Sequence, residues 1–131
     1  MGIIRTDEVR SRLAEPAYFT GRVWQEPVIG EGSATDIRAL RVTFEPGART
    51  AWHTHPRGQT LHVLSGVGRI AMRGGAVQVI RAGDTVWIPR GEEHWHGAAP
   101  DRMMCHLAIQ QVEGGRTADW LDPVSDADYA G

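Results

Sequence analysis

Short runs of strand-forming residues, separated by glycine and proline, dominate this 131-residue sequence and most constrain its fold. Leu40, Val42 and Phe44 alternate with polar residues, which is the period of a strand with one buried face, and a Glu-Pro-Gly turn follows at 45–47. Many short strands at even spacing, without long helices between them, favour an all-β sandwich or barrel. Further strands are predicted over Thr50–Thr54, Gln59–Leu64, Arg69–Arg73, Val77–Arg81, Thr85–Pro89, His94–Ala98 and Met103–Gln110.

Helices are predicted only near the two ends of the chain. Asp7–Leu13 is predicted as one short N-terminal helix, with Thr6 as its N-cap and Pro16 as its stop signal. A second short helix is predicted from Ser125. The chain shows no linker and no repeat of solenoid length, so we expect residues 1–131 to form a single domain.

The composition excludes several classes of function. All fourteen basic residues are arginine, so the chain has no lysine for a Schiff base or a phosphate loop. A net charge of -2 with scattered arginines gives no reason to expect a nucleic-acid partner. No apolar run is long enough for a membrane-spanning helix, and no secretory leader is recognised. The single cysteine, Cys105, excludes an intrachain disulfide and is typical of a cytoplasmic protein, which is the location we expect.

The histidine pattern carries the functional argument. His53 and His55 are two residues apart, so a strand would present both imidazoles on one side. Gln59 follows a turn and can return its side-chain oxygen to the same centre, while His94 lies far along the chain, as a ligand from another strand would. We therefore expect a metal site. The alternative is that the His-x-His pair is a core or surface feature without a metal.

The spacing of these residues resembles the two sequence motifs of the cupin superfamily. The first motif, G-x5-H-x-H-x3,4-E-x6-G, matches Gly47, His53, His55, Gln59 and Gly66. The second motif, G-x5-P-x-G-x2-H-x3-N, matches Gly83, Pro89, Gly91 and His94. The resemblance lies within residues 47–98 and implies a jelly-roll β-barrel. Two positions depart from the motifs, since Gln59 stands where most cupins have Glu and Ala98 where many have Asn.

The glutamine at position 59 changes the charge of the expected centre. Three neutral imidazoles and a carboxamide leave a divalent ion with its full double positive charge, whereas a glutamate ligand would halve it. A more positive centre is a stronger Lewis acid and is harder to oxidise, so the site favours polarising a bound oxygen over redox cycling with dioxygen. Nitrogen and oxygen ligands with open positions admit Mn2+, Fe2+, Co2+, Ni2+ or Zn2+.

Four sequence segments are similar to a narrower group, the small bacterial cupins with hydroxynitrile lyase activity: Phe44–Pro56, Gly58–Leu61, His94–Pro100 and His106–Gln110. Those are manganese-containing single-domain cupins that cleave or form (R)-cyanohydrins such as mandelonitrile. The resemblance implies a lyase with Mn2+ held by His53, His55, Gln59 and His94, a small-molecule substrate, and a homodimer or homotetramer. It also places the acid/base at His106. Two other functions stay open: a metal-dependent oxygenase that prefers iron, and a non-catalytic cupin that binds a small metabolite.

Alternation along Met103–Gln110 predicts which residues line a substrate pocket. If His106 points into the barrel, Ala108 and Gln110 share its face. Residues of another strand are expected to complete the pocket: Leu40, Val42 and Phe44. The alternative for His106 is a buried histidine bonded to a backbone carbonyl.

The other two histidines are assigned by the same alternation. His96 shares the face of His94, and we place it in the pocket. Three interpretations stay open: it lies beside the ion, it contacts a residue that binds the ion, or it only packs in the core. His62 is out of phase with Gln59, so it is expected to point away from the metal.

Overall fold

The computed structural model describes residues 1–131, and they are almost entirely β-structure. Twelve strands form one continuous curled sheet. The strands are β1 (Arg12–Leu13), β2 (Phe19–Thr20), β3 (Val23–Ile29), β4 (Ile37–Phe44), β5 (Arg49–Thr50), β6 (His53–Thr54), β7 (Gln59–Met72), β8 (Gln78–Arg81), β9 (Thr85–Ile88), β10 (His94–Ala98), β11 (Met104–Gln111) and β12 (Asp119–Trp120). One α-helix, α1, spans Asp126–Ala130.

All strand pairs are antiparallel, and β7 takes part in both halves of the sheet. The first half has the order β1-β3-β4-β11-β7-β9. The second half has the order β8-β7-β10-β5-β2, and the short β6 and β12 extend it beside β10. The inner face of this half-barrel encloses the core, as the all-β jelly-roll prediction requires.

Strand β7 changes from one half of the sheet to the other at a pair of glycines. Gly66 has a φ of 81°, and a Cβ there would lie 2.0 Å from the carbonyl oxygen of Met103. At Gly68 a Cβ would lie 2.7 Å from the carbonyl oxygen of Gly97. Only glycine accommodates this left-handed backbone and these close approaches. The two strands predicted over Gln59–Leu64 and Arg69–Arg73 are therefore one bent strand.

The core lies on the inner face and follows the predicted alternation. Along β11 the burial alternates at every residue, and the buried positions are Met104, His106, Ala108 and Gln110. Phe44 and Leu61 are fully buried beside them. The main hydrophobic cluster contains thirteen buried residues from both halves of the sheet, so the site described below is built on a packed interior.

The C-terminal segment covers the outside of β10. Trp52 and Trp95 pack there against Val124 and Tyr129, and the Tyr129 hydroxyl donates a 2.6 Å hydrogen bond to the carbonyl of Ala98. Both tryptophans therefore serve packing on the face opposite the histidines.

The N-terminal helix is much shorter than predicted. Only a single 3-10 turn forms, at Thr6–Glu8, and Arg12–Leu13 pairs with β3 as an edge strand. None of the residues of this turn is buried, and an isolated helix of that length is not stable in water without a packed face. Helix α1 forms as predicted, with the Ser125 hydroxyl accepting a bond from the backbone of Asp128. Neither helical element has the length and hydrophobicity to cross a membrane.

Candidate metal centre

Three histidines and one glutamine meet where β6, β7 and β10 converge. His53 lies on β6 directly opposite His94 at the start of β10, and their ring centroids are 4.2 Å apart. His55 follows β6, and its ring lies 4.9 Å from that of His53 and 5.4 Å from that of His94. Gln59 begins β7 on its inner face, with its side-chain oxygen 3.2 Å from Nε2 of His94. The structure thus brings together all four residues that the sequence singles out as ligands.

Backbone carbonyls fix the tautomer of the three imidazoles. Nδ1 of His53 lies 2.9 Å from the carbonyl of Ala51, and Nδ1 of His94 lies 2.9 Å from that of Glu92. Nδ1 of His55 lies 2.7 Å from the carbonyl of Thr117. A carbonyl only accepts, so each Nδ1 carries the proton and each Nε2 carries a lone pair. This is the usual arrangement of histidines that bind a metal through Nε2.

The Gln59 side chain also presents an acceptor atom, its amide oxygen, to the candidate metal site. Its Nε2 donates a 3.0 Å hydrogen bond to Oε1 of Gln110, which leaves its oxygen facing the imidazoles. That oxygen and Nε2 of His94 are both acceptors, so no hydrogen bond forms between them at 3.2 Å. Nε2 of His55 is buried without any hydrogen-bond partner. Acceptors that converge in this way fit a cation bound between them, and the donor set of three nitrogens and one oxygen suits a divalent transition metal.

His96 lies beside this centre. Nitrogen atoms of His53, His94 and His96 lie within 4.8 Å of one another, and all three side chains are buried. Nε2 of His96 has no hydrogen-bond partner. Of the readings left open for His96, the structure supports a position next to the candidate ion site.

His96 also contacts His106. Nε2 of His106 lies 3.0 Å from Nδ1 of His96, and the two rings are 4.8 Å apart. The bond joins two side chains from β10 and β11, so this His106 nitrogen is not held by a backbone carbonyl. Nδ1 of His106 is buried without a partner. The pair therefore has two free ring nitrogens for a bound molecule.

Burial keeps these imidazoles neutral. Desolvation lowers the pKa of His106 and of His94 to about 4. Desolvation and the neighbouring imidazoles lower the pKa of His53 and His96 well below the usual value. Desolvation also lowers the pKa of His55. All five rings are thus neutral imidazoles at neutral pH, the state that both a metal ligand and a general base require.

A cavity of about 120 Å³ adjoins the centre. Every residue predicted for the substrate pocket lines it: Leu40, Val42, Phe44, His96, Ala108 and Gln110. Its size is comparable with the engineered cavity of about 150 Å³ that holds benzene. Six further lining residues were not predicted, because nothing in the local sequence marks them: Phe19, Gln25, Thr50, Thr117, Ala118 and Trp120.

Two other side chains lie outside the cavity. His62 is half-buried on the outer face of β7, where its Nδ1 lies 2.8 Å from the hydroxyl of Thr85, so it points away from the metal centre as predicted. Cys105 is half-buried on the outer face of β11 and accepts a hydrogen bond from Thr43.

A family model for the cupin domain matches residues 40–109 of the chain. The chain is also 47% identical over 129 residues to an (R)-mandelonitrile lyase from Granulicella tundricola, with 98% of both proteins covered. The chain is a cupin. A solved structure of a cupin-like protein from Thermotoga maritima is 39% identical to this cupin, with a TM-score of 0.85 over 89% of both chains.

More distant cupins share the fold. The DMSP lyase of Ruegeria pomeroyi is 22% identical, with a TM-score of 0.73 over 92% of this chain and 64% of that one. A predicted oxalate decarboxylase of Thermotoga maritima is 21% identical, with a TM-score of 0.71 over 82% of this chain and 96% of that one. These likenesses concern architecture, and the chemistry has to be argued from the site itself.

Proposed function

We propose that this cupin is a metal-dependent hydroxynitrile lyase that reversibly cleaves an aromatic (R)-cyanohydrin to an aldehyde and hydrogen cyanide. The observation that carries the proposal is the convergence of four acceptor atoms beside a pair of neutral, buried imidazoles in a benzene-sized cavity. The name of the 47% identical relative, (R)-mandelonitrile lyase, supports the same reaction.

The metal ligands in this proposal are His53, His55, Gln59 and His94, and the ion we favour is Mn2+. When bound, a divalent cation would supply a Lewis acid that polarises the hydroxyl oxygen of the substrate. The neutral ligand set keeps the charge of the ion undiminished. Gln110 holds the Gln59 amide with its oxygen toward the imidazoles, so it positions a ligand.

His106 is the general base. Its imidazole is neutral and accepts the proton of the cyanohydrin hydroxyl. The oxygen electron pair then forms the carbonyl bond, and the carbon–carbon bond to the nitrile breaks with its electrons on cyanide. The protonated His106 returns its proton to cyanide. His96 positions His106 through the 3.0 Å contact between their rings.

The apolar walls of the cavity hold the remainder of the substrate. Leu40, Val42 and Ala108 line its inner face and exclude water from the reacting atoms. Phe44 is fully buried, with its ring centroid 5.3 Å from that of His106, so it fixes one side of the base.

The test is metal analysis of the purified protein together with a mandelonitrile-cleavage assay. We expect bound divalent metal and release of benzaldehyde that stops on chelation and returns with Mn2+. Uptake of dioxygen by an iron-loaded protein would instead indicate an oxygenase. Ligand binding without turnover would indicate a metabolite-binding cupin.

The same proposal includes a homodimer or homotetramer. The outer face of the first half of the sheet exposes large apolar side chains, with Trp87 75%, Met103 49% and Leu64 39% exposed. No element of this chain covers them, and such a face commonly packs against another subunit. Light scattering of the purified protein measures the assembly. We also propose a cytoplasmic location, in keeping with the free thiol of Cys105.

A further inference from the structure

A second, wider cavity of about 710 Å³ adjoins the cavity beside the metal centre, and we call it the vestibule. Leu40, Gln110 and Thr117 line both spaces, so the vestibule lies next to the pocket. A molecule in the pocket that extends past these three residues would present its distal end to the vestibule walls.

The vestibule walls carry more positive than negative charge. Arg12, Arg38 and Arg116 line the vestibule together with one carboxylate, Glu31. Arg116 is neutralised by Asp119, through two contacts of 2.9 and 3.2 Å. Neither Arg12 nor Arg38 forms an ion pair. Two cations therefore face a single carboxylate across this space.

Arg38 is held rigidly by hydrogen bonds that use only part of its guanidinium group. Its Nη1 donates to the Ser33 hydroxyl at 3.1 Å and to the carbonyls of Thr35 and Ile37 at 2.8 and 2.9 Å. Its Nε and Nη2 form no hydrogen bonds within the chain. A guanidinium fixed in this way loses little conformational freedom when it binds an anion, and its planar edge suits two oxygen acceptors.

The strand register places both arginines on the inner face. Arg38 pairs with Gln110 across β4 and β11, and it lies two residues before Leu40. One inner-facing step along a strand is about 7 Å. Arg12 pairs with Gln25, which lines the pocket. The two cations thus lie at the outer end of a pocket whose inner end holds His106.

We propose that the substrate of this site carries an anionic group at the end remote from its reacting carbon, and that Arg12 and Arg38 bind that group. The inference rests on the function proposed above. The substrate class is then an aromatic aldehyde or cyanohydrin with a carboxylate or sulfonate on the far side of its ring. The ring lies beside Leu40 and Ala108, and the anion enters the vestibule.

Two aldehydes of similar shape test the inference: 4-formylbenzenesulfonate, which is anionic, and 4-(methylsulfonyl)benzaldehyde, which is neutral. Binding to the Mn2+-loaded protein is measured by calorimetry, and cyanohydrin formation is measured separately. Two opposite charges about 6 Å apart in water change a dissociation constant about three-fold. We expect the anion to bind at least about three-fold more tightly, and the preference to shrink as salt is raised to about 0.5 M.

Substitution separates the arginines from direct binding of the sulfonate to the metal. Arg12→Gln should weaken binding of the anion about three-fold and leave the neutral aldehyde unchanged. Arg10→Gln is the matched control, because Arg10 is exposed, bonds to the carbonyl of Asp7 and does not line the vestibule. Arg38→Lys retains the charge and Arg38→Gln removes it, so a loss confined to Arg38→Gln identifies the charge rather than the loop that Arg38 supports.

Each outcome is decisive. Equal affinity of the wild-type protein for the two aldehydes overturns the inference, and so does a preference that survives both Arg12→Gln and Arg38→Gln. If the anion is preferred but neither aldehyde is converted to its cyanohydrin, the proposed function fails while anion recognition stands. If both are converted and bound equally, the function stands and the inference fails.

Discussion

The metal-free protein is expected to lose stability as the pH falls below about 6.5, because its cavity buries neutral histidines. Burial lowers the pKa of His94 and His106 to about 4 in the folded chain. In the unfolded chain both titrate near about 6.5. Below that pH the unfolded chain binds protons that the folded chain does not, so acid favours unfolding. The stability that the neutral histidines contribute is fully present above about pH 6.5 and is lost progressively as the pH falls toward about 4.

The size of the effect follows from the two pKa values. At pH 5, a shift from about 6.5 to about 4 costs about 2 kcal/mol for each histidine, so His94 and His106 together cost about 4 kcal/mol. His53, His55 and His96 shift in the same direction and add to this loss. A domain of this size is typically stable by about 5–15 kcal/mol, so the metal-free protein should be close to unfolding at pH 5.

Urea unfolding with tryptophan fluorescence, in the presence of a chelator, measures this loss at pH 7.5, 6 and 5. His106→Gln removes one titrating group and should reduce the loss between pH 7.5 and 5 by about 2 kcal/mol. His62→Gln is the comparison, since it removes a histidine outside the cavity. A free energy of unfolding that stays constant over this range would refute the account of neutral, buried imidazoles.

Four further outcomes follow from the same structure. His53→Ala should lose most of the metal seen by elemental analysis and lower the melting temperature, since one of four ligands is gone. Gln110→Leu should weaken metal affinity about 10–100-fold, measured by chelator competition, because Gln59 loses the bond that orients its oxygen. His106→Ala should keep its metal and lose about 10²–10⁴-fold in cleavage rate, and loss of metal in that variant would instead make His106 part of the coordination sphere. Gly66→Ala should destabilise the fold by at least about 2 kcal/mol in urea unfolding, because its φ is 81° and a Cβ would meet a carbonyl oxygen.

Much of the site could be predicted because its information is local. The His-x-His spacing places His53 and His55, and alternation along β11 places His106 and Gln110 on the buried face. These inferences need only the period of a strand, which short-range sterics determine. The all-β class follows from the same short periods and from the glycines between them.

The remaining features depend on register between distant strands. The bond between Gln59 and Gln110 joins residues 51 positions apart, and the carbonyl that orients His55 belongs to Thr117, 62 positions away. Contact between His96 and His106 depends on how the side chains of β10 and β11 meet across the interior. No local pattern specifies such pairings, since tertiary packing sets them. The predicted N-terminal helix does not form for a related reason. Its local sequence favours a helix, but no packing surface stabilises it.

The geometry of the candidate metal centre depends on a bend in strand β7 that lies far from it. Fourteen extended residues would span about 43 Å, yet Gln59 at one end lies 3.2 Å from His94, which pairs with Met72 at the other end. The strand therefore bends at Gly66–Gly68 so that both of its ends lie at the candidate metal site. The distance between the two ends of β7 depends on the angle of the bend at Gly66–Gly68. A substitution at this bend, remote from every candidate ligand, should therefore change the preference of the centre for ions of different radius.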